Sequence, residues 1–129
     1  MAWFKTGGGG SLSETVLWTN PSPTSSMSPS AARTLSDDIS NYKYLKIYWR
    51  MTVNQDIQSS IMVSVEEFKK MTNTANTNFL GMYSKATNSF ARGIYYVNDT
   101  TFGNSNCYQA GTTTQNNGYC IITKISGLK

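Results

Sequence analysis

Histidine is absent from the 129 residues, and charged residues make up only 14% of them. Without histidine the chain has neither the commonest general base nor most of the dyads and triads that activate a nucleophile. The seven acidic residues remain as candidates for acid–base work. Asp37 and Asp38 adjoin one another in a turn, Glu66 and Glu67 adjoin beside Lys69 and Lys70, and nothing selects a distant pair such as Asp56 and Asp99. Sequence neighbours do not converge on one substrate merely by adjacency. The expectation is a protein that is not an enzyme, with no cofactor.

Other absences narrow the classes further. No run approaches the 18 apolar residues of a spanning helix, and residues 1–10 have no apolar core of a secretory signal. We expect no membrane insertion and synthesis in a bacterial cytoplasm. The net charge is +4, but the cations are scattered from Lys5 to Lys129 without a basic cluster, so no nucleic-acid partner is expected. The glycine run Gly7 to Gly10 has neither a strand before it nor a Lys-Ser or Lys-Thr after it, which excludes a phosphate-cradling loop. With two cysteines and no histidine, a metal site is not expected. Cys107 and Cys120 read as small buried hydrophobes on neighbouring strands. They are also a candidate disulfide if residues 111–116 form the loop of a hairpin, whereas a tight Asn117-Gly118 turn would keep the thiols apart.

What is present is a β pattern. Ser, Thr, Asn and Gly are abundant and aromatics reach 12%, the profile of short strands joined by polar turns. Strands are predicted over Glu14–Thr19, Met27–Leu35, Tyr42–Val53, Ile57–Val65, Asn78–Ser84, Phe90–Val97, Cys107–Thr113 and Tyr119–Ile125. Asn20-Pro21-Ser22-Pro23, Ser36-Asp37-Asp38, Asn54-Gln55-Asp56, Thr87-Asn88, Asn98-Asp99, Gly103-Asn104 and Asn116-Asn117-Gly118 are read as separators. Glu66 to Met71 carries the one helical signal. About eight short strands in one domain over 14–129 describe an all-β antiparallel sandwich, jelly-roll-like.

Two features rise above this background. In the strand from Tyr42, Leu45, Ile47, Trp49, Met51 and Val53 share one face, and Tyr42, Tyr44, Lys46, Tyr48, Arg50 and Thr52 share the other. Tyr42, Tyr44, Tyr48 and Arg50 therefore form a candidate subunit-contact or glycan-contact surface, unless the tyrosines belong to the core. Residues 1–13 form a flexible N-terminal arm. Trp3 and Phe4 are candidate anchors in a partner's apolar pocket, and Gly7, Gly8, Gly9 and Gly10 are the hinge.

Three stretches carry a likeness. Leu17 to Thr24 (LWTNPSPT), Leu35 to Tyr44 (LSDDISNYKY) and Tyr119 to Lys129 (YCIITKISGLK) resemble a small β-domain that recurs in tail, fibre and other virion proteins of bacteriophages, especially those of Gram-positive hosts. The similarity spans roughly residues 14–129, the whole domain. The resemblance implies a place in the virion, other virion proteins as partners and a homotrimer; the tyrosine face adds a host surface glycan as a further candidate partner. With only Met1 to Ser13 before the domain, the expectation is a capsid decoration protein, head fibre or tail-tip component rather than the end of a long tail fibre. The alternative function is a carbohydrate-binding module of a cell-surface or secreted protein.

Overall fold

Period-two alternation decides where the strands run. In the computed structural model, which describes residues 13–72, 81–85 and 88–129, the backbone alone is described for 81–85 and 88. The strands are β1 (Glu14–Thr19), β2 (Ser30–Thr34), β3 (Tyr44–Thr52), β4 (Gln55–Ser64), β5 (Gly81–Lys85), β6 (Asn88–Asn98), β7 (Thr101–Gln109) and β8 (Tyr119–Leu128). A single-turn helix, α1 (Val65–Phe68), follows β4, and a 3-10 turn (Ile39–Asn41) precedes β3. Both short helices begin at side-chain caps: Ser64 Oγ accepts from the Glu67 amide, and Asp38 accepts from the Ser40 amide.

The strands form two antiparallel sheets of four, in the orders β1-β8-β3-β4 and β2-β7-β6-β5. The all-β sandwich read from the sequence is the fold found. Leu45, Ile47 and Trp49 from β3 and Ile122 and Ile125 from β8 meet Ile94 and Phe102 of the second sheet in one core. Chain connections that pass from one sheet to the other set β8 between β1 and β3 and set β7 beside β2, while β3–β4, β5–β6 and β6–β7 are plain hairpins.

Arg92, on β6, is fully buried at 0% exposure and sits between the sheets. Its guanidinium has five N–H donors. All are used, and every acceptor is a main-chain carbonyl. Nε donates to Cys120 at 2.7 Å, Nη1 to Met27 at 2.9 Å and Ser105 at 2.8 Å, and Nη2 to Asn117 at 3.2 Å and Tyr119 at 3.1 Å. Burial lowers its pKa, but a guanidinium keeps its charge in proteins. The cage therefore solvates a cation with carbonyl dipoles and no carboxylate. It ties the approach to β2, strand β7 and the entry to β8 to one side chain.

Several expectations are corrected. The stretch Gly103-Asn104 is not a turn but lies inside β7. A Cβ at Gly103 would come within 2.3 Å of the Tyr95 ring, so the glycine is there to admit that ring. Asn104 is buried: it accepts from Arg33 Nε and donates to the carbonyls of Ser28 and Ser105. Tyr42 does not share a face with Tyr44 and Tyr48. It caps the 3-10 turn before β3, its ring closes over Gly127, and its hydroxyl donates to Asp37 at 2.9 Å. Thr52 also leaves the tyrosine face and is buried, because the β3–β4 register shifts between Arg50 and Thr52.

Cys107 and Cys120 do not face one another across a hairpin, since β7 and β8 belong to different sheets. Gln109 to Thr114 forms a small reversal, and a second turn at Asn116–Gly118 hands the chain over to the first sheet. The thiols meet in the interior, where both are buried and no disulfide joins them. Contact with Cys120, and then burial, pushes the Cys107 pKa up. Cys120 adopts φ 49°, a left-handed conformation rare for residues other than glycine, where the chain enters β8 and its carbonyl turns toward Arg92. The arm residues Trp3, Phe4 and Gly7 to Gly10 lie outside the described residues.

Arg92→Met should remove a donor from each of the five carbonyls, of which Asn117 keeps the Met27 amide and Ser105 keeps Asn104 Nδ2, and destabilise the domain by at least about 3 kcal/mol. Arg92→Lys, with three donors and no planar fork, should recover only a minor part. Urea unfolding of the two variants checks both, and a loss under about 1 kcal/mol for Arg92→Met would show that the cage is dispensable.

Candidate functional site

The outer face of the β1-β8-β3-β4 sheet carries the tyrosine surface predicted from β3. Cross-strand register arranges it in rows. One row runs Val16, Ser126, Lys46, Met62; the next toward Thr52 contains Lys124, Tyr48 and Ser60; the opposite one contains Glu14, Leu128, Tyr44 and Ser64. At the usual spacing between strands, Val16 and Met62 stand about 14 Å apart. Exposed apolar surface comes from Val16 at 46%, Tyr44 at 37% and Met62 at 49%.

Tyr48 is the centre of this face. Its hydroxyl donates to Glu14 Oε2 at 2.6 Å, and Lys124 Nζ and Lys46 Nζ lie 4.3 Å and 5.2 Å from the ring centroid. Each ammonium interacts with the ring quadrupole, so the ring is already occupied by cations. Burial and then the Glu14 carboxylate push the Tyr48 pKa up to about 12. The hydrogen bond from Tyr48, with Lys124 and Lys46 nearby, holds Glu14 below its ordinary value.

Of the four residues predicted for the surface, three share it. Tyr44 is exposed, Tyr48 is half-buried in its network, and Arg50 is turned aside: it bonds Asp56 at 3.3 Å and the Thr52 carbonyl, leaving its side chain 12% exposed. Val16, Met62 and Lys124 complete the face and were not singled out from the sequence. Only the pairing of β1, β4 and β8 with β3 brings them there, and no local pattern encodes that.

Tyr42, Tyr44, Ser40, Lys43, Glu66 and Lys69 line an open groove of about 530 Å³ at one end of the sandwich. Behind it, Asp99 accepts from Tyr96 Oη at 2.6 Å and Ser40 Oγ at 3.1 Å and pairs with Lys69 at 3.2 Å. Lys69 Nζ also donates to Ser40 Oγ at 2.8 Å. A serine nucleophile beside lysine needs a neutral amine to take its proton. Here the ammonium is paired with Asp99 and the hydroxyl donates to the same carboxylate. Tyr96 and Lys69 hold Asp99 below the usual carboxylate range, and Tyr42 does so for Asp37. A general acid at neutral pH requires the opposite shift. Asp56 sits at the far end of β3 from Asp99, so these carboxylates do not meet. Among the described residues no three His, Cys, Asp or Glu come together as metal ligands, and no helix is long and apolar enough to cross a membrane.

Comparison with protein-family models gives no match to this chain, and comparison with curated proteins gives none either.

Glu14, Asp37 and Asp99 bind protons less tightly in the fold than in the unfolded chain. Their contribution is therefore present above the ordinary carboxylate range and is lost as pH falls through the depressed values. Tyr48 has the converse linkage: its contribution holds below its ordinary value near 10 and is lost as pH rises toward about 12. Tyr48→Phe should flatten part of the acid limb and the alkaline limb of a plot of Tm against pH. Limbs unchanged by Tyr48→Phe would show that the Glu14–Tyr48 bond carries no linkage.

Proposed function

We propose that this chain is a non-catalytic structural protein of a bacteriophage particle, a β-sandwich whose outer sheet face, around Tyr44, Lys46, Tyr48 and Lys124, contacts another virion protein. The observation that carries this reading is the composition and shape of that face. Exposed apolar groups of Val16, Tyr44 and Met62 surround a half-buried tyrosine flanked by lysines, on a sheet rather than in a deep pocket. Tyrosine and methionine are enriched in protein interfaces, and a broad face suits a protein partner better than a small ligand.

The virion assignment is supported by the resemblance of Leu17–Thr24, Leu35–Tyr44 and Tyr119–Lys129 to phage surface domains. A role as capsid decoration protein, head fibre or tail-tip component fits a domain that exposes such a face. Within this reading Trp3 and Phe4 anchor the arm and Gly7 to Gly10 let the domain tilt. Lys46 and Lys124 against the Tyr48 ring favour protein contact over sugar stacking, since a sugar needs an open aromatic face.

Phage particles purified from a strain that carries the gene should contain the chain. The double change Tyr44→Glu with Lys46→Glu should leave a folded domain and reduce its incorporation at least about tenfold, the consequence of losing roughly 1.4 kcal/mol of contact energy. Deletion of residues 2–6 tests the anchor separately. Absence of the chain from purified particles would refute the virion assignment, and full incorporation of the double variant would move the contact to another surface.

A further inference from the structure

The margins of the two sheets are β1 and β4 in one and β2 and β5 in the other. Three of them are blunted. The β1 pairing is broken by a bulge between Val16 and Trp18, β2 has five residues and is irregular between Ser30 and Arg33, and β5 has five residues. Strand β4 has ten residues, and its register against β3 is uninterrupted from Gln58 to Ser64. Among the described residues no strand pairs with its outer edge. Among those residues, the outward N–H and C=O groups of that edge meet no strand.

Natural edges are protected by lysines, prolines, inward charges or bulges. From Gln58 to Ser64 the sequence is QSSIMVS, with no charge, no proline and a regular register. Both faces of the strand end in exposed apolar groups. Ile61, opposite Ile47, lies on the core side and is still 42% exposed, and Met62, opposite Lys46, lies on the outer side and is 49% exposed. Ile57 adds a third exposed side chain at 56%.

We propose that β4 is a self-association edge, at which two copies pair β4 to β4 antiparallel about a twofold axis and join two four-stranded sheets into one of eight. The argument for a second copy is self-complementarity. A twofold through Met62 sets Ile61 opposite Val63 of the second copy and Ser60 opposite its Ser64, so apolar meets apolar on the core side and hydroxyl meets hydroxyl on the other. No like charges are brought together between Gln58 and Ser64, because there are none. An edge paired with the same edge of a second copy is consumed in the pair, which gives a dimer. The trimer implied by the phage resemblance would require β4 to pair with a different edge, and the free edge of its own sheet is the bulged β1. This inference does not rest on the virion assignment.

Sedimentation equilibrium of the full chain at micromolar concentrations should give twice the chain mass. Ile61→Lys and Met62→Lys, which place a charge on opposite faces of the edge, should each weaken the dimer at least about tenfold while far-UV circular dichroism and the melting transition stay near wild type. Hydrogen exchange at amides of Ser60–Ser64, the positions that pair in this register, should slow as wild-type concentration rises, and this measurement decides the matter if either variant fails to fold. A chain that stays monomeric, a trimer, a dimer indifferent to both variants, or β4 exchange independent of concentration would each overturn the proposal.

Discussion

A single buried cation holds the two sheets in their relation to one another. Arg92 offers five donors from β6, and the carbonyls that accept them come from Met27, Ser105, Asn117, Tyr119 and Cys120. Those five groups sit where the chain is least regular: the approach to β2, the middle of β7, and the passage from β7 to β8. Irregular backbone in a core is costly, since its polar groups have no ladder to join. Arg92 supplies their partners. Each carbonyl in turn helps to replace the water that the charge has lost, so the irregular backbone and the buried cation stabilise each other. Cys120 keeps its left-handed conformation at this junction, where the strain is held by the bond from Nε.

Much of the sandwich was legible in the sequence because alternation is a local property. Glu14–Thr19 appears as a strand with the boundaries expected, and Leu45, Ile47 and Trp49 are core residues as their spacing implied. What failed was non-local. Gly103-Asn104 looks like a turn to any rule that sees only neighbours, yet Gly103 is a strand residue fitted beneath Tyr95. Tyr42 continues the alternation of β3 on paper, but its ring is drawn away by a glycine 85 positions along the chain, Gly127, and by Asp37. Nothing local marks Arg92, since a lone arginine in a β pattern looks like any solvated cation. The candidate surface was half legible: Tyr44 and Tyr48 came from the periodicity of β3, while Val16, Met62 and Lys124 required the pairing of three other strands.

Three carboxylates with depressed pKa values are each fastened to a phenol. Asp99, Asp37 and Glu14 each accept from a tyrosine hydroxyl, Tyr96, Tyr42 and Tyr48 respectively. In each pair the carboxylate is favoured in its ionised form and the phenol in its neutral form. These are fastenings between segments distant in sequence or at a turn. Asp99 joins the β6–β7 turn to Ser40 and to Lys69 beyond α1, and Glu14 reaches from β1 past β8 to β3. Glu14, Asp37 and Asp99 are placed where a strand end or turn takes a partner.

The pairing of β1 with β8 sets the mechanical character of the domain. Glu14 lies opposite Leu128, and the Lys129 amide donates to the Ser13 carbonyl, so the first and last described residues are neighbours at one end of an antiparallel ladder. A tensile load applied between those two points would open the ladder like a zipper, one hydrogen bond at a time, and would meet little resistance. A load that enters at Ser13 and leaves through the broad face of the same sheet would instead act on several β1–β8 bonds in parallel, as shear. The domain is thus weak when pulled by its two ends and strong when held by one end and its face, a directional compliance that follows from strand order alone.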